Sequence, residues 1–464
     1  MQLEFHGAAR EVTGSCHILR VNGHTILLDC GLFQGKRADV QQKNARVPVD
    51  PHTVSAVVLS HAHIDHAGRL PFLVREGYRG PIHATTATRD LCEVMLADAA
   101  HIQEKDAEFL ARRKKQHADP LYGQKDVVRT LELMQGTRYG RVVDIVPGVT
   151  ATFLDAGHIL GSASILLECT EGGRTVRLAF SGDIGRVGLP IIRDPVVPER
   201  ADVVIMESTY GNRDHPSSAG AMDALATVVR DTAARGGKVL IPAFAVGRTQ
   251  ELVYDLHQLA DQGKIPRVPI VIDSPLATKA TGVFAKNTAI FDDAEPFVQS
   301  HRDDPSSLFK FPLLRFTESV EESMALDSTP GPAVIIAASG MAESGRILHH
   351  VLHGASEPRN TILVVGFMAD HTLGRRIVDR QPVLKVYGDE VPLRAQVEVI
   401  SGYSAHADRT ELQAWITTAR ARSSTLRDVW LVHGEPEAQD VFAARLVQDG
   451  LTPHCPTPGT RVTL

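Results

Sequence analysis

Short runs in which apolar residues alternate with polar ones, or fill every position, mark the first part of the chain as strand-rich. Gln2 to Phe5, His17 to Val21 and Thr25 to Asp29 open it in this way. Val54 to Leu59, Gly80 to Ala84, Val149 to Leu154, Thr175 to Phe180 and Val203 to Met206 continue the pattern. One long window, Thr88 to Leu110, instead carries Leu91, Val94, Met95 and Leu96 at helical spacing. From about Gly211 to Lys385 helix and strand patterns alternate. Helices are expected over Ala219 to Ala234, Arg248 to Gln262 and around Gly345 to His353, and strands over Lys238 to Ile241, Val268 to Asp273, Ala333 to Ala337 and Thr361 to Val365. Such alternation with glycine-rich joints predicts a doubly wound parallel sheet, in which ligands sit beyond the carboxyl ends of the strands. Strands at Gln396 to Ile400 and Asp428 to Val432 restore the first pattern, so the middle segment reads as an insertion. The expected division is 1–210, an inserted 211–385, and 386–464 returning to the first domain.

Composition changes this picture little. A chain of 464 residues exceeds what one core usually supports, and 43% apolar with 22% charged residues is the make-up of an ordinary soluble protein. The formal charge, 49 − 55 = −6, supplies no general basic field for nucleic acid, so phosphate binding would need local patches or bound cations. Five scattered cysteines without a C-x-x-C pair argue for reduced thiols and a cytoplasmic setting. Neither a signal pattern at Met1 to Arg20 nor an apolar run of membrane-spanning length is present.

The candidate chemistry is concentrated after Val54 to Leu59, in Ser60-His61-Ala62-His63-Ile64-Asp65-His66. Three imidazoles and a carboxylate directly after a buried strand put four metal ligands on one turn. His61 and His63 project to the same side of an extended segment, while Asp65 and His66 fall in the following turn and can face a second ion. Asp29, at a strand end before Gly31, can hydrogen-bond a ligand histidine or simply cap its turn. His158 lies between glycines after a strand, and Asp183 again ends a strand before Gly185, a placement from which one carboxylate could bridge two cations. Gly7 to Ser15 is a small-residue loop suited to approach such a site closely. In the middle segment, Arg248, then Ser339, Gly340, Ser344 and Arg346, then His371 and Arg375 stand at strand ends or helix starts. Glycine amides, helix N-termini and arginine make a phosphate track; alternatively the glycines are caps and the arginines pair with local carboxylates. The basic run Arg112 to Lys115, with His117, is a solvated helix end or a further phosphate contact. No G-x-G-x-x-G or Walker loop is present, which argues against a dinucleotide or ATP.

The H-x-H-x-D-H stretch resembles the signature of the metallo-β-lactamase superfamily. Glu207 in E-S-T-Y-G, His406 in S-A-H-A-D and His433 in V-H-G-E resemble the three further motifs of its β-CASP branch, the nucleases that include RNase J and the pre-mRNA cleavage endonuclease. The absence of a long C-terminal domain makes the chain resemble the cleavage-endonuclease relatives more than RNase J. His371 stands where Gly is expected in relatives, which leaves it as an extra RNA contact or a neutral substitution.

The resemblance implies an αββα sandwich with an inserted β-CASP domain. It implies one zinc on His61, His63 and His158, another on Asp65, His66 and His433, and Asp183 between them, with manganese as an alternative metal. Asp29 would orient a ligand, and Glu207 would steer His406 as general acid. RNA is the implied substrate, because RNA-acting members carry His at the third motif, and the products would be a 5′-phosphate and a 3′-hydroxyl. No membrane partner is implied, and a homodimer is compatible with the sequence. The alternatives are hydrolysis of a small ester, thioester or lactam by the same core, and an inactive RNA-binding scaffold; retention of all seven ligand residues argues against the last.

Overall fold

A computed structural model describes residues 1–35, 37–114, 119–215, 220–366, 368, 369 and 371–464, and the side chains of these apart from 37–39, 109, 110 and 112–114. The basic run Arg112 to Lys115 with His117 therefore lies outside the described side chains. The chain divides into two compact units. One comprises Met1–Leu189, Arg193–Asp214 and His406–Leu464, the other Pro190–Ile192 and His215–Ala405.

The first unit holds two seven-stranded sheets among its described residues. One runs in the order Arg461–Thr463, Gln2–Gly7, Cys16–Val21, His24–Leu28, Val54–Val58, Ile82–Thr85, Met134–Thr137. The other runs Thr452–His454, Asp428–Val432, Val203–Glu207, Arg174–Phe180, Ala163–Glu171, Val149–Asp155, Val142–Val146. Leu3, Phe5, Leu28 and Val58 from the first sheet share one core with Phe153, Ile165, Phe180 and Ile205 from the second. The period-two pattern explains which face turns inward: Val149, Ala151, Phe153 and Asp155 are buried while the residues between them are half-buried. Helices Arg409–Arg422 and Pro436–Gln448 bury Trp415, Ile416, Phe442 and Leu446 in one cluster with Val204, Met206, Val429 and Leu431 of the second sheet. Helix Thr86–Lys114 packs on the first sheet, starting before the expected Thr88 and running past Leu110. This is the αββα sandwich.

Strand direction fixes where the chemistry emerges. Arg174–Phe180, Val203–Glu207 and Asp428–Val432 are adjacent and parallel, so the segments that follow Phe180, Glu207 and Val432 all leave at one edge. Parallel neighbours His24–Leu28 and Val54–Val58 likewise deliver Asp29 and the His61 turn together.

The second unit is built on a six-stranded parallel sheet in the order Leu314–Phe316, Ile270–Ile272, Ala333–Ala337, Lys238–Pro242, Thr361–Val365, Gln396–Ile400. Every residue of Thr361–Val365 is buried, as expected of a central strand covered on both faces. Here the sequence-based boundary needs correction. Gln396–Ile400 pairs in parallel with Thr361–Val365 as the outermost strand of this sheet, so the chain returns to the first unit after Ala405 rather than at residue 386. The first crossing also falls later, after Asp214, and Pro190–Ile192 joins the second unit through a bridge from Ile192 to Phe291. No helix among the described residues is long and apolar enough to cross a membrane.

Candidate metal centre

The buried strand Val54–Val58 ends in the fully buried Leu59 and Ser60, and the chain then turns through His61 to His63 into a single helical turn, Ile64–Ala67. The turn is closed by the His66 and Ala67 amides donating to the His63 carbonyl. Two glycines let main chains meet here. A Cβ on Gly31 would lie 1.6 Å from the Asp65 carbonyl oxygen, and one on Gly185 would lie 1.6 Å from that of Gly157. Side chains are thus excluded beside Asp65 and beside His158.

The structure brings all seven expected ligand residues together. His63 Nδ1 lies 3.1 Å from both His61 Nε2 and His158 Nε2. Asp183 Oδ2 closes this group at 3.5 Å from His61 Nε2 and 3.6 Å from His158 Nε2. A second group forms beside it: His66 Nε2 and His433 Nε2 are 3.1 Å apart, and Asp65 Oδ2 is 3.5 Å from His433 Nε2. The other oxygen of Asp183, Oδ1, lies 3.3 Å from His66 Nε2.

These spacings fit cations. Tetrahedral zinc with nitrogen ligands at about 2.0–2.1 Å has ligand–ligand edges of about 3.3 Å. Asp183 Oδ1 is buried with no hydrogen bond among the described residues, an expensive state for a carboxylate oxygen unless something else meets it. Each group of donors can hold one cation, with Asp183 presenting one oxygen to each.

Surrounding side chains fix which nitrogen of three of these imidazoles carries the proton. Asp29 is fully buried at a φ of 61°. Its Oδ2 accepts from His66 Nδ1 at 2.7 Å and from the Ser15 and Ser60 hydroxyls at 3.0 Å, and its Oδ1 accepts the Ser60 amide at 2.8 Å. Ser60 Oγ, having given its proton to Asp29, accepts from His61 Nδ1 at 3.1 Å. Thr209 Oγ1 donates to the His433 carbonyl at 3.0 Å and accepts from His433 Nδ1 at 3.1 Å. In His61, His66 and His433 the Nε2 lone pair therefore points at the donor group, the arrangement in which metal-binding histidines are held. Burial holds His61 well below its ordinary range and His63 down to about 4, whereas at His66 the carboxylates of Asp183 and Asp29 outweigh burial and raise its affinity for a proton.

His406 is not part of either group. Its ring lies 4.4 Å from that of His158, and its Nδ1 meets Glu207 Oε1 at 3.2 Å. Glu207 is fully buried and held by the Ile184 amide at 2.6 Å and the Thr209 amide at 3.3 Å. Burial opposes a charged His406, but the carboxylates of Glu207, Asp183 and Asp65 outweigh it and carry the imidazole up to about 9.

The expected phosphate track looks different at close range. Arg248 is buried, pairs with Glu251 and lies over the Tyr403 ring at 5.5 Å. Arg346 meets Asp273 at 2.7 Å, and Arg375 meets Asp379 at 2.9 Å. Each guanidinium lies against a carboxylate of its own unit. The Ser339 hydroxyl accepts the Glu343 and Ser344 amides at 3.1 and 3.2 Å, closing its loop, and Gly340 lies under the Phe244 ring. His371 has a φ of 68°, the region that favours glycine, in accord with the Gly expected there. Sequence reading did not single out Ser15, Ser60 or Thr209, because nothing local distinguishes a hydroxyl that orients a distant imidazole.

Comparison with known proteins gives the same frame. The model of the metallo-β-lactamase superfamily matches residues 9–227, that of the Beta-Casp domain residues 249–377, and that of the Zn-dependent metallo-hydrolase RNA specificity domain residues 390–456. Ribonuclease TTHA0252 from Thermus thermophilus is 40% identical over 437 residues, 94% of each chain. Transcription termination factor FttA from Methanosarcina mazei is 32% identical over 93% of this chain and 66% of its own. A crystal structure of a protein of unknown function from Enterococcus faecalis shares the fold with a TM-score of 0.58, covering 100% of this chain and 99% of that one at 12% identity. The chain belongs to the β-CASP ribonuclease branch of the metallo-β-lactamase superfamily.

Proposed function

We propose that the protein is a metal-dependent ribonuclease that hydrolyses RNA phosphodiester bonds with two cations, zinc or in its place manganese, leaving a 5′-phosphate and a 3′-hydroxyl. The observation that carries this reading is Asp183, whose two oxygens each face a separate set of donors. His61, His63 and His158 would hold one cation and Asp65, His66 and His433 the other. When bound, such a pair supplies water activation near neutral pH and neutralises charge on the phosphoryl oxygens. A 5′-phosphate product means that the bond from phosphorus to the 3′ oxygen breaks, and that oxygen must be protonated as it leaves. His406 is the donor: it keeps a proton at neutral pH, Glu207 fixes its Nδ1, and it stands beside the donor groups without belonging to them. Glu207 is a positioning residue, as is Asp29. RNA as substrate is supported by the likeness to an RNA specificity domain and to Ribonuclease TTHA0252. Among the track residues, Arg375 and His371 are proposed to touch the RNA backbone, whereas Arg248, Ser339, Gly340, Ser344 and Arg346 shape the loops around it. A cytoplasmic setting is part of this reading, on the scatter of the five cysteines along the sequence.

Incubation of 5′-labelled RNA with the purified protein, before and after chelation and zinc restoration, tests the reading. Cleavage that disappears with the metal and returns with zinc is expected. RNA left intact by zinc-loaded protein that hydrolyses a thioester or lactam would overturn it.

A further inference from the structure

Within the second unit, three residues given no role above, His257, Asp261 and His301, bring one donor atom each to within 4.8 Å of one another. His257 and Asp261 are four residues apart on helix Arg248–Asp261, so both face one side of its last turn, with His257 Nε2 3.8 Å from Asp261 Oδ2. His301 follows the short helix Pro296–Ser300 and brings its ring to 5.3 Å from that of His257. Ring pairs in the first unit's donor set lie at 4.9–5.1 Å, so the approach is similar.

The tautomers point the same way. His257 Nδ1 donates to the Leu308 carbonyl at 3.1 Å, and His301 Nδ1 donates to the Phe297 carbonyl at 2.9 Å. Each ring thereby keeps its lone pair on Nε2. A main-chain carbonyl behind Nδ1 is the support that metal-binding histidines receive. Burial keeps His257 uncharged at neutral pH, and its orientation is locked by a parallel stack on Phe311 at 4.0 Å and an edge contact with Phe297. The carboxylate is 56% exposed and can swing by the ångström or so that closure about a cation requires. A helix carboxyl end also favours positive charge.

We infer that His257, Asp261 and His301 form a separate binding site for a divalent cation of the zinc class, which clips the end of helix Arg248–Asp261 to the segment around Pro296–Phe309. That segment is built of pieces no longer than five residues, Pro296–Ser300 and Pro305–Phe309. Two imidazoles and one carboxylate select zinc, cobalt or nickel over magnesium and leave a coordination position for water. The site is independent of the reading given for the first unit.

The test compares the wild-type chain with the double variant Asp261→Ala, His301→Ala, both zinc-saturated, gel-filtered and assayed for zinc per chain. Neither residue is in the deep core, and His257 is left in place. The variant is expected to carry one zinc fewer, to cleave RNA at the wild-type rate, and to lose the rise in thermal midpoint that added zinc, but not magnesium, gives the wild type. Cobalt bound to the wild type should add a visible band that the variant lacks. Equal zinc content in the two proteins, or a variant whose lost zinc is accompanied by lost cleavage, would overturn the inference.

Discussion

Two buried histidine–carboxylate clusters, one in each unit, use the same residue types to opposite ends. In the second unit Asp273 is fully buried and accepts from Arg346 at 2.7 Å, Ser323 at 2.6 Å, His350 at 2.6 Å and also from Thr317, while the other nitrogen of His350 meets Asp327 at 2.7 Å. Every acceptor has a donor. In the first unit nitrogen faces nitrogen at 3.1 Å and Asp183 Oδ1 is left without a hydrogen bond. A network that balances its own protons is structural; one with a surplus of lone pairs is built to receive positive charge. The count of donors against acceptors separates them where residue type alone does not.

The comparison is broken most severely at Asp183. Asp183→Asn removes the charge shared by both donor sets, and a loss of at least about a thousandfold in turnover, with reduced zinc by elemental analysis, is expected. Unchanged metal content would show that the carboxylate is not shared. Next, His406→Ala should lower turnover by about 10²–10⁴-fold with zinc retained, since His406 is proposed as the proton donor and lies outside both donor groups; loss of zinc in that variant would reverse the assignment. In the other cluster, Asp273→Asn leaves Arg346 without its counter-charge and His350 with Asp327 alone. A destabilisation of about 3–5 kcal/mol in urea unfolding is expected, with the zinc content of surviving folded protein intact. Thr209→Val, which removes the acceptor for His433 Nδ1, should weaken metal binding by about 10–100-fold in a chelator competition, with unfolding little changed.

The smallest effect is on pH dependence. Burial lowers the affinity of His350 for a proton, but Asp273 and Asp327 outweigh it and raise the imidazole to about 9. An unfolded histidine titrates near 6.5, so this contribution to stability is complete below about pH 6.5 and disappears as pH rises towards 9. The stability difference between wild type and His350→Gln should shrink across that window. A constant difference would mean that His350 is uncharged in the folded protein.

What could be read from the sequence was local. The His61 to His66 turn declared itself because four ligands follow one buried strand, and Asp183 because a glycine turn follows another. The later ligands depended on a resemblance of motifs, since only parallel pairing of Val203–Glu207 with Asp428–Val432 brings His433 to the same edge. Thr209 was beyond reach for the same reason: its partner is 224 residues away. The return to the first unit was placed early because Gln396–Ile400 carries no local mark of its partner, Thr361–Val365. The arginines show both cases. The Arg375 partner, Asp379, is one helical turn ahead and could have been foreseen, whereas Asp273 is 73 residues from Arg346.

The order of the ligands along the chain has a consequence for synthesis. His61, His63, His158 and Asp183 have all left the ribosome 250 residues (433 − 183) before His433 does. All residues of one donor group are therefore made long before the last residue of the other. On the proposed reading, the second donor group is completed only when Asp428–Val432 has paired with Val203–Glu207 and delivered His433.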